Sequence, residues 1–217
     1  MTNFNETEIQ AAKFLLQVKA VKLSPEQPFT WASGRKSPIY CDNRVTLSYP
    51  EIRTFIRQRF VEVINEAFGD VDVIAGVATG GIAQGALVAQ ELGKPFVYVR
   101  SEEKKHGLTN QIEGEIHSGQ TVVVIEDLVS TGKSSLIAVH ALRDKGCIVK
   151  GMAAIFSYLL PVAKQNFEDA NVELHTITNY DALIQVATDE EYIRPDKMES
   201  LKEWRLNPEK WSDDHMQ

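Results

Sequence analysis

The residue types with the clearest chemistry lie in one window, residues 122–135, which reads VVVIEDLVSTGKSS. An apolar run ends in two adjacent carboxylates, Glu126 and Asp127, and a short Ser/Thr/Gly turn then opens a helical pattern. A strand–turn–helix unit of this kind gathers unpaired backbone N–H groups and the positive end of a helix at one point. That point favours a phosphate monoester. Lys133 favours it further, because a cation in the first helical turn opposes the helix dipole unless an anion lies nearby.

The two carboxylates bear directly on how this window is interpreted. The alternative is an ordinary capped helix, with Ser130 or Thr131 as the N-cap and Lys133 in solvent. A carboxylate beside a phosphate pocket repels the phosphate, so Glu126 and Asp127 indicate a further ligand group, such as hydroxyls or a divalent cation. A sugar phosphate supplies those hydroxyls, and the carboxyl end of a strand is where α/β proteins bind ligands.

Two familiar phosphate-binding motifs do not account for these residues. A Walker A loop requires glycine where Asp127 stands. The glycines within residues 76–85 do not form the G-x-G-x-x-G pattern of dinucleotide-binding folds. What remains for residues 78–85 is a glycine-rich turn at which the backbone can approach a ligand closely.

The elements that must position these groups follow an alternating pattern. Short apolar runs rich in β-branched residues alternate with helical patterns, which predicts buried parallel strands joined by crossover helices. The strand windows are residues 71–77, 95–100, 121–127, 148–157 and 172–178, and the helical windows between and after them are 82–92, 134–145 and 181–187. Two helices are predicted before the sheet, at residues 7–21 and 51–68, and a helix-like segment near residues 198–204 ends the chain.

Two stretches depart from that pattern. Residues 27–44 mix aromatic, small and cationic side chains without a period, which predicts an irregular segment. Residues 100–119 form a polar connection that is long for a compact domain, which indicates a lid, a binding loop or disorder. Weak alternation in residues 111–116 also allows a two-stranded flap.

Composition excludes several classes of protein. The 217 residues carry a formal charge of -7 and a pI of about 5.3, which opposes a dedicated nucleic-acid binder. The sequence contains no apolar run long enough for a membrane span and no secretory leader pattern, so we expect a cytoplasmic location. Cys41 and Cys147 have no metal-site spacing, and we expect both to be buried as small apolar residues.

The windows above, taken in order, resemble one known family. The strand followed by EDLVSTGKS is similar to the phosphoribosyl diphosphate signature of type I phosphoribosyltransferases. FTWASGRKSPIYCDNR, YVR with SEEKKHG, NQIEG and VVVIEDLVSTGKSS together resemble the orotate phosphoribosyltransferases over almost the whole chain. The resemblance implies one α/β domain over residues 1–217, with a mostly parallel sheet flanked by helices. Its expected parts are an N-terminal hood segment at about 1–48, a core at about 49–180 and a C-terminal helical segment at about 181–217. The two terminal segments together are expected to form a small hood.

The resemblance also implies residues that bind phosphoribosyl diphosphate. These are Arg100, Lys104, Lys105, His106, Glu126, Asp127, Leu128, Val129, Ser130, Thr131, Gly132, Lys133 and Ser134. Residues 130–134 would hold the 5-phosphate, and Glu126 and Asp127 would take the ribose hydroxyls. Catalytic roles are implied for Arg100, Lys104, His106 and Asp127. Arg100 and the cations that follow it match a mobile loop that closes over the pyrophosphate and, in the family, serves the neighbouring subunit of a homodimer.

For orotate, the implied contacts are Ser130 and the cationic segment that contributes Lys36, Tyr40 and Arg44. The implied cofactor is Mg²⁺, with no protein side chain assigned as its ligand. The sequence departs from the better-known family pattern at Ala32, at Thr79-Gly80 and at Ser157-Tyr158, where the family has a lysine, a Tyr-Lys pair and an orotate-binding arginine.

The expected activity is therefore transfer of a phosphoribosyl group to orotate, with small molecules rather than nucleic acid or membrane as partners. Two alternatives remain at this point. A phosphoribosyltransferase for a purine or uracil base would share residues 126–134 but would not need the cations of residues 36–44. A regulatory protein that senses phosphoribosyl diphosphate would share the fold, although the acidic pI opposes nucleic-acid binding.

Overall fold

The structure is a computed structural model that describes residues 4–100 and 111–216. Its helices are α1 (Glu6–Gln17), α2 (Pro50–Val63), α3 (Gly80–Leu92), α4 (Lys133–Asp144), α5 (Pro161–Asp169), α6 (Tyr180–Asp189), α7 (Met198–Leu206) and α8 (Pro208–Asp214). Its strands are β1 (Val21–Leu23), β2 (Phe29–Thr30), β3 (Lys36–Ser37), β4 (Ile39–Cys41), β5 (Val73–Val77), β6 (Phe96–Val99), β7 (Ile112–Glu113), β8 (Thr121–Val129), β9 (Ile148–Ser157) and β10 (Leu174–Asn179). Short 3₁₀ helices span Asn43–Ser48 and Pro195–Lys197, and a π-helical turn spans Ile64–Phe68.

A six-stranded sheet in the order β10-β9-β8-β5-β6-β7 forms the centre of the fold. Neighbouring strands are parallel from β10 to β6, and the short β7 joins β6 in the antiparallel direction. Residues 122–125 of β8 are fully buried, as expected for a strand covered on both faces. The predicted α/β fold with a mostly parallel sheet is confirmed.

Glycines bring α3 unusually close to this sheet. A Cβ atom at Gly81 would overlap the carbonyl oxygen of Ile125 in β8, and one at Gly76 would come within 2.8 Å of the Gly81 carbonyl oxygen. Because no side chain separates the helix from the strands, the first turn of α3 lies directly beside the ends of β5 and β8.

The N- and C-terminal segments pack together at the carboxyl end of β9. The Trp31 ring stacks on Tyr158, which follows β9, at a centroid distance of 5.7 Å, and it meets Trp204 of α7 edge-on at 5.9 Å. The backbone N–H of Lys36 donates to Ser212 Oγ at 2.9 Å, which ties β3 to α8. These contacts join the two terminal segments at one end of the sheet, which is where a hood is expected.

Several boundaries differ from the prediction. The helix predicted over residues 7–21 is wrong at its end, because α1 stops at Gln17, Lys19 adopts a left-handed backbone at φ 57° and Val21 begins β1. Glu126 and Asp127 do not end their strand, since β8 continues to Val129. The alternative N-caps Ser130 and Thr131 are also wrong, because Gly132 is the N-cap residue of α4.

Other differences concern short elements. Residues 27–44 are less irregular than expected, because they contain two small antiparallel pairs, β1 with β4 and β2 with β3. The expected flap appears in the described residues only as β7, which extends the central sheet. The helix α5 was not predicted, and α8 was predicted only as part of the helical segment at about 181–217. Each begins with a proline at its first position, which is a helix-start signal.

None of the helices in the described part of the chain combines the length and apolar character that a membrane span requires. The two cysteines are free thiols. Cys147 is buried as expected, but Cys41 is only partly buried because it lines the cavity at the carboxyl ends of β5 and β8.

Candidate active site

A cavity of about 410 Å³ opens at the carboxyl ends of β5 and β8. In a parallel sheet these ends meet at one edge, which is the usual place for a ligand in an α/β protein. Three segments supply its walls: the end of β4 with the residues after it, the turn from β5 into α3, and the end of β8 with the turn into α4. The lining residues are Cys41, Asp42, Arg44, Val77, Ala78, Thr79, Gly80, Glu126, Asp127, Leu128, Ser130, Thr131, Gly132 and Ser134.

The turn from β8 into α4 has the geometry of an anion site. Gly132 adopts a left-handed backbone at φ 79°, and a Cβ atom there would lie 2.6 Å from the Phe167 ring. The side-chain amide of Asn166 in α5 donates to the Thr131 carbonyl oxygen at 2.9 Å and holds the turn from outside. Within the described residues, no side chain caps the N-terminus of α4, so its first N–H groups and its positive end remain available to an anion. Gly132, the N-cap residue, lines the cavity.

The Lys133 side chain lies elsewhere. It lines a groove between α4 and α5 together with His140 and Asp169, and it is not among the residues that line the main cavity. Val129 is fully buried, whereas Leu128 lines the cavity. Of the expected 5-phosphate residues, the structure therefore brings Ser130, Thr131, Gly132 and Ser134 to the cavity wall and leaves the Lys133 side chain outside.

Glu126 is the buried member of the carboxylate pair, with 5% of its surface exposed. Its Oε1 accepts the Asp127 backbone N–H at 3.0 Å, and its Oε2 accepts the Ser135 hydroxyl at 2.8 Å. Burial, and then the adjacent Asp127 charge, raise the pKa of the Glu126 carboxyl well above its usual value. Glu126 therefore favours its protonated form more than an exposed glutamate does.

Asp127 faces the cavity next to the glycine-rich turn. A Cβ atom at Gly80 would overlap the Asp127 carboxyl group, so the first turn of α3 can approach this carboxylate only because residue 80 is glycine. Val77, Ala78 and Thr79 continue the wall on the same side, and the Ala78–Thr79 peptide bond is cis. The turn at residues 78–85 thus brings backbone to the cavity, as its glycine content predicts.

Arg44 also reaches the cavity, but its guanidinium has a protein partner. Nε donates to Asp42 Oδ1 at 2.7 Å and Nη2 donates to Asp42 Oδ2 at 3.0 Å. This bidentate pair lowers the pKa of Asp42 and raises that of Arg44. A carboxylate ligand would have to compete with Asp42 for the Arg44 guanidinium.

The other expected orotate residues lie apart from the cavity lining. Lys36 Nζ donates to Thr30 Oγ1 at 3.0 Å, and the Tyr40 ring is 39% exposed and packs against Phe29 at 5.7 Å. Only Ser130 and Arg44 of the expected set line the cavity. Ser157-Tyr158 is one of the positions where the sequence departs from the family pattern. There, Ser157 Oγ accepts the Leu159 N–H at 3.1 Å, and the buried Tyr158 ring packs against Trp31 and Trp204.

Arg100 lies at the end of β6, on the far side of β5 from the carboxylate pair. Its Nε lies 3.7 Å from Glu113 Oε1 of β7, and its backbone exchanges hydrogen bonds with Gln111. Arg100 does not line the cavity formed by the described residues. Lys104, Lys105 and His106 lie outside the described residues.

Asp42, which lines the cavity, and Asn43, which contacts the Asp127 backbone, were not singled out by sequence reasoning. Asp42 caps the 3₁₀ helix Asn43–Ser48 through the Arg44 N–H, and the fully buried Asn43 reaches β8. An Asp-Asn pair just before a turn of helix is a known capping signal and was available in the sequence. Among the described residues, no cluster of three or more His, Cys, Asp or Glu side chains is placed to hold a metal ion by itself.

Comparison with known proteins agrees with this geometry. Residues 47–190 match the family model of the phosphoribosyl transferase domain. The chain is 58% identical over 200 residues to an orotate phosphoribosyltransferase of Porphyromonas gingivalis, covering 92% of this chain and 95% of that protein. It is 57% identical over 204 residues to one of Listeria monocytogenes, covering 94% and 98%. Among solved structures, an orotate phosphoribosyltransferase from Aeropyrum pernix superposes with a TM-score of 0.73 at 28% identity, covering 84% of this chain and 99% of that one.

Proposed function

The chain belongs to the orotate phosphoribosyltransferase family of phosphoribosyltransferases, and from that premise we propose that its cavity transfers the 5-phosphoribosyl group of phosphoribosyl diphosphate to orotate. The products are orotidine 5′-monophosphate and pyrophosphate, a step of pyrimidine biosynthesis. One observation carries the assignment of the site: an uncapped helix N-terminus and a carboxylate pair share the wall of a single cavity. A phosphate and the hydroxyls of its sugar require those two features side by side.

The phosphoribosyl group is held at two points. The 5-phosphate lies at the turn of Ser130, Thr131 and Gly132, against the first N–H groups of α4. The ribose hydroxyls donate to the carboxylates of Asp127 and Glu126 on the adjoining wall. With both ends held, the anomeric carbon is fixed relative to the incoming base, and this orientation is a large part of the rate enhancement available to a transferase.

The reaction breaks the bond from the anomeric carbon to the diphosphate oxygen and forms a bond from that carbon to a ring nitrogen of orotate. That nitrogen loses its proton, which the departing diphosphate can take up. The carbon gains oxocarbenium character and the leaving diphosphate gains negative charge. Asp127 would help to hold a Mg²⁺ ion that is bound with phosphoribosyl diphosphate, and the ion would neutralise charge on the leaving group. Lys104 and His106, together with Arg100, would supply the remaining positive charge, and exclusion of water by their loop would prevent hydrolysis of the ribose.

Orotate is an anion, so its carboxylate requires a cation at the cavity wall. Among the described residues that line the cavity, Arg44 is the one cation, and Ser130 lines the same cavity. Lys36 and Tyr40 would contribute from the neighbouring hood strands. Because Asp42 already binds Arg44 at two nitrogens, orotate must compete with an internal carboxylate for the guanidinium.

We expect the Asp42→Asn variant to lower the KM for orotate about 2- to 5-fold, the range of an exposed ion pair. The substitution removes the competing charge while leaving an oxygen to cap the 3₁₀ helix. Steady-state kinetics at low and high salt would measure the KM for orotate, and its decrease relative to wild type should be smaller at high salt. Asp196→Asn, which removes the same charge beside Arg194 and far from the cavity, is the matched control. A rise in KM would mean that Asp42 orients Arg44 for the substrate.

The loop cations are proposed to serve the cavity of a second subunit in a homodimer. Arg100, from which this loop starts, lies beyond β5 and outside the cavity lining of its own chain, which supports that assignment. Mixing two inactive variants, Lys104→Ala and Asp127→Asn, and allowing subunits to exchange should restore about a quarter of the wild-type activity, because half of the dimers then have one intact site. No recovery, with exchange shown by native mass spectrometry, would contradict loop sharing.

The test of the function itself is the loss of orotate ultraviolet absorbance on mixing the protein with orotate, phosphoribosyl diphosphate and Mg²⁺. Uracil and hypoxanthine serve as parallel substrates. We expect turnover of orotate alone. Binding of phosphoribosyl diphosphate without turnover of any base would contradict the proposed activity.

A further inference from the structure

Asn43 connects the N-terminal segment directly to the carboxylate strand. Its Nδ2 donates to the backbone carbonyl oxygen of Asp127 at 2.6 Å, across 84 positions of the sequence. Asn43 is 1% exposed, and its backbone carbonyl oxygen accepts the Thr46 hydroxyl at 2.6 Å within the 3₁₀ helix. The Asn43 backbone is therefore held in place, and its side chain bonds to the peptide of Asp127, the residue proposed to accept the ribose hydroxyls.

The orientation of the Asn43 amide follows from its two partners. A carbonyl oxygen only accepts hydrogen bonds, so the amide must present its NH₂ group to Asp127 and its oxygen to the other side. On that side Cys41 Sγ lies 3.3 Å from Oδ1, at hydrogen-bond distance for a sulfur donor. Burial and the neighbouring carboxylates Asp127 and Asp42 raise the pKa of the Cys41 thiol well above its usual value, which keeps its proton available for donation.

The far side of Asp127 is restricted as well. Gly80 lies so close to the carboxyl group that a Cβ atom would overlap it. The Asp127 residue is thus confined between the first turn of α3 on its side-chain side and the Asn43 amide on its backbone side. A shift of either neighbour moves the carboxylate relative to the cavity.

We propose that Cys41 and Asn43 form a positioning relay, in which the thiol orients the Asn43 amide and the amide fixes the Asp127 peptide so that its carboxylate meets the ribose hydroxyls. The relay rests on the proposed function for its ribose ligand. It assigns roles in the cavity wall to two residues that make no covalent change in the reaction.

The thiol step is tested by a matched pair, Cys41→Ala and Cys41→Ser. Both remove the sulfur and both are small, but only serine retains a donor for Asn43 Oδ1. We expect Cys41→Ser to exceed Cys41→Ala about 5-fold in kcat/KM for phosphoribosyl diphosphate, the range of one hydrogen bond, with equal thermal midpoints. Equal kinetics for the two variants, or activity that falls only in step with the thermal midpoint, would overturn the relay.

A double-mutant cycle separates the relay from direct contact between Cys41 and substrate. We expect Asn43→Ala to lower kcat/KM about 10-fold or more, and Cys41→Ala to add nothing in that background, because the thiol acts only through the amide. Additive losses would overturn the proposal. If Asn43→Ala fails to fold, the cysteine pair still decides the outcome.

Binding of phosphoribosyl diphosphate with Mg²⁺, measured by calorimetry, keeps this test independent of the base. If wild-type protein binds phosphoribosyl diphosphate but does not turn over orotate, the proposed function fails, and the relay is still decided by the binding data. Weaker binding for Cys41→Ala than for Cys41→Ser supports it, and equal binding overturns it.

Discussion

A Gly80→Ala variant should fold and yet lose about 100-fold in kcat/KM for phosphoribosyl diphosphate, the usual cost of moving a positioned group by about 1 Å. The added methyl group would occupy the space of the Asp127 carboxyl group. The carboxylate must therefore move away from the turn or push the start of α3 outward. Either movement separates it from the ribose hydroxyls, while the sheet beneath remains packed.

The matched control is Gly85→Ala on the same helix. A Cβ atom at Gly85 would lie 2.7 Å from the Phe96 ring, inside the fold and away from the cavity lining. We expect this variant to unfold at a lower temperature and to retain its kcat. Steady-state kinetics and thermal unfolding of both variants measure the difference, and full activity in Gly80→Ala would contradict the role given to this close approach.

The centre of the sheet was predictable because most of β5, β8 and β9 is buried. Residues 148–157 form β9 as predicted, and its last seven residues are buried and almost entirely apolar, as expected for a covered parallel strand. The turn after β8 was predictable for a different reason, because Ser and Thr hydroxyls can bond to nearby backbone and Gly tolerates the positive φ that Gly132 adopts. The local order of residue types is therefore sufficient to locate the turn that we propose as the phosphate site.

The contacts between segments were not predictable in the same way. Whether Arg44 meets a substrate or Asp42 depends on side-chain rotamers, and the sequence offers both partners. Gly80 and Asp127 belong to different elements, and their contact depends on how closely α3 approaches β8. The continuation of β8 past Asp127 depends on its pairing with β9, where Val129 pairs with Ser157, and this long-range register leaves no local signal in the sequence.

The Glu126→Gln variant should be more stable than wild type above neutral pH and less active. A buried carboxyl with a raised pKa stabilises the fold fully only below its ordinary pKa of about 4.5, and that stability is lost as the pH rises toward the pKa in the folded protein. Glutamine has no charge to bury. Its oxygen can accept the Asp127 N–H while its NH₂ group donates to the Ser135 hydroxyl, so neither group is left unpaired.

We expect the gain in free energy of unfolding at pH 8 to be about 1.4 kcal/mol for each unit by which the Glu126 pKa is raised, and to vanish near pH 4. Denaturant unfolding across this pH range measures it, with the exposed Glu66→Gln as the control that should show no gain. Activity should fall about 10- to 100-fold, because an amide has one acceptor oxygen and Asp127 already occupies it, leaving less capacity for a ribose hydroxyl. A gain in stability that does not depend on pH would show that burial of the Glu126 charge is not its cause.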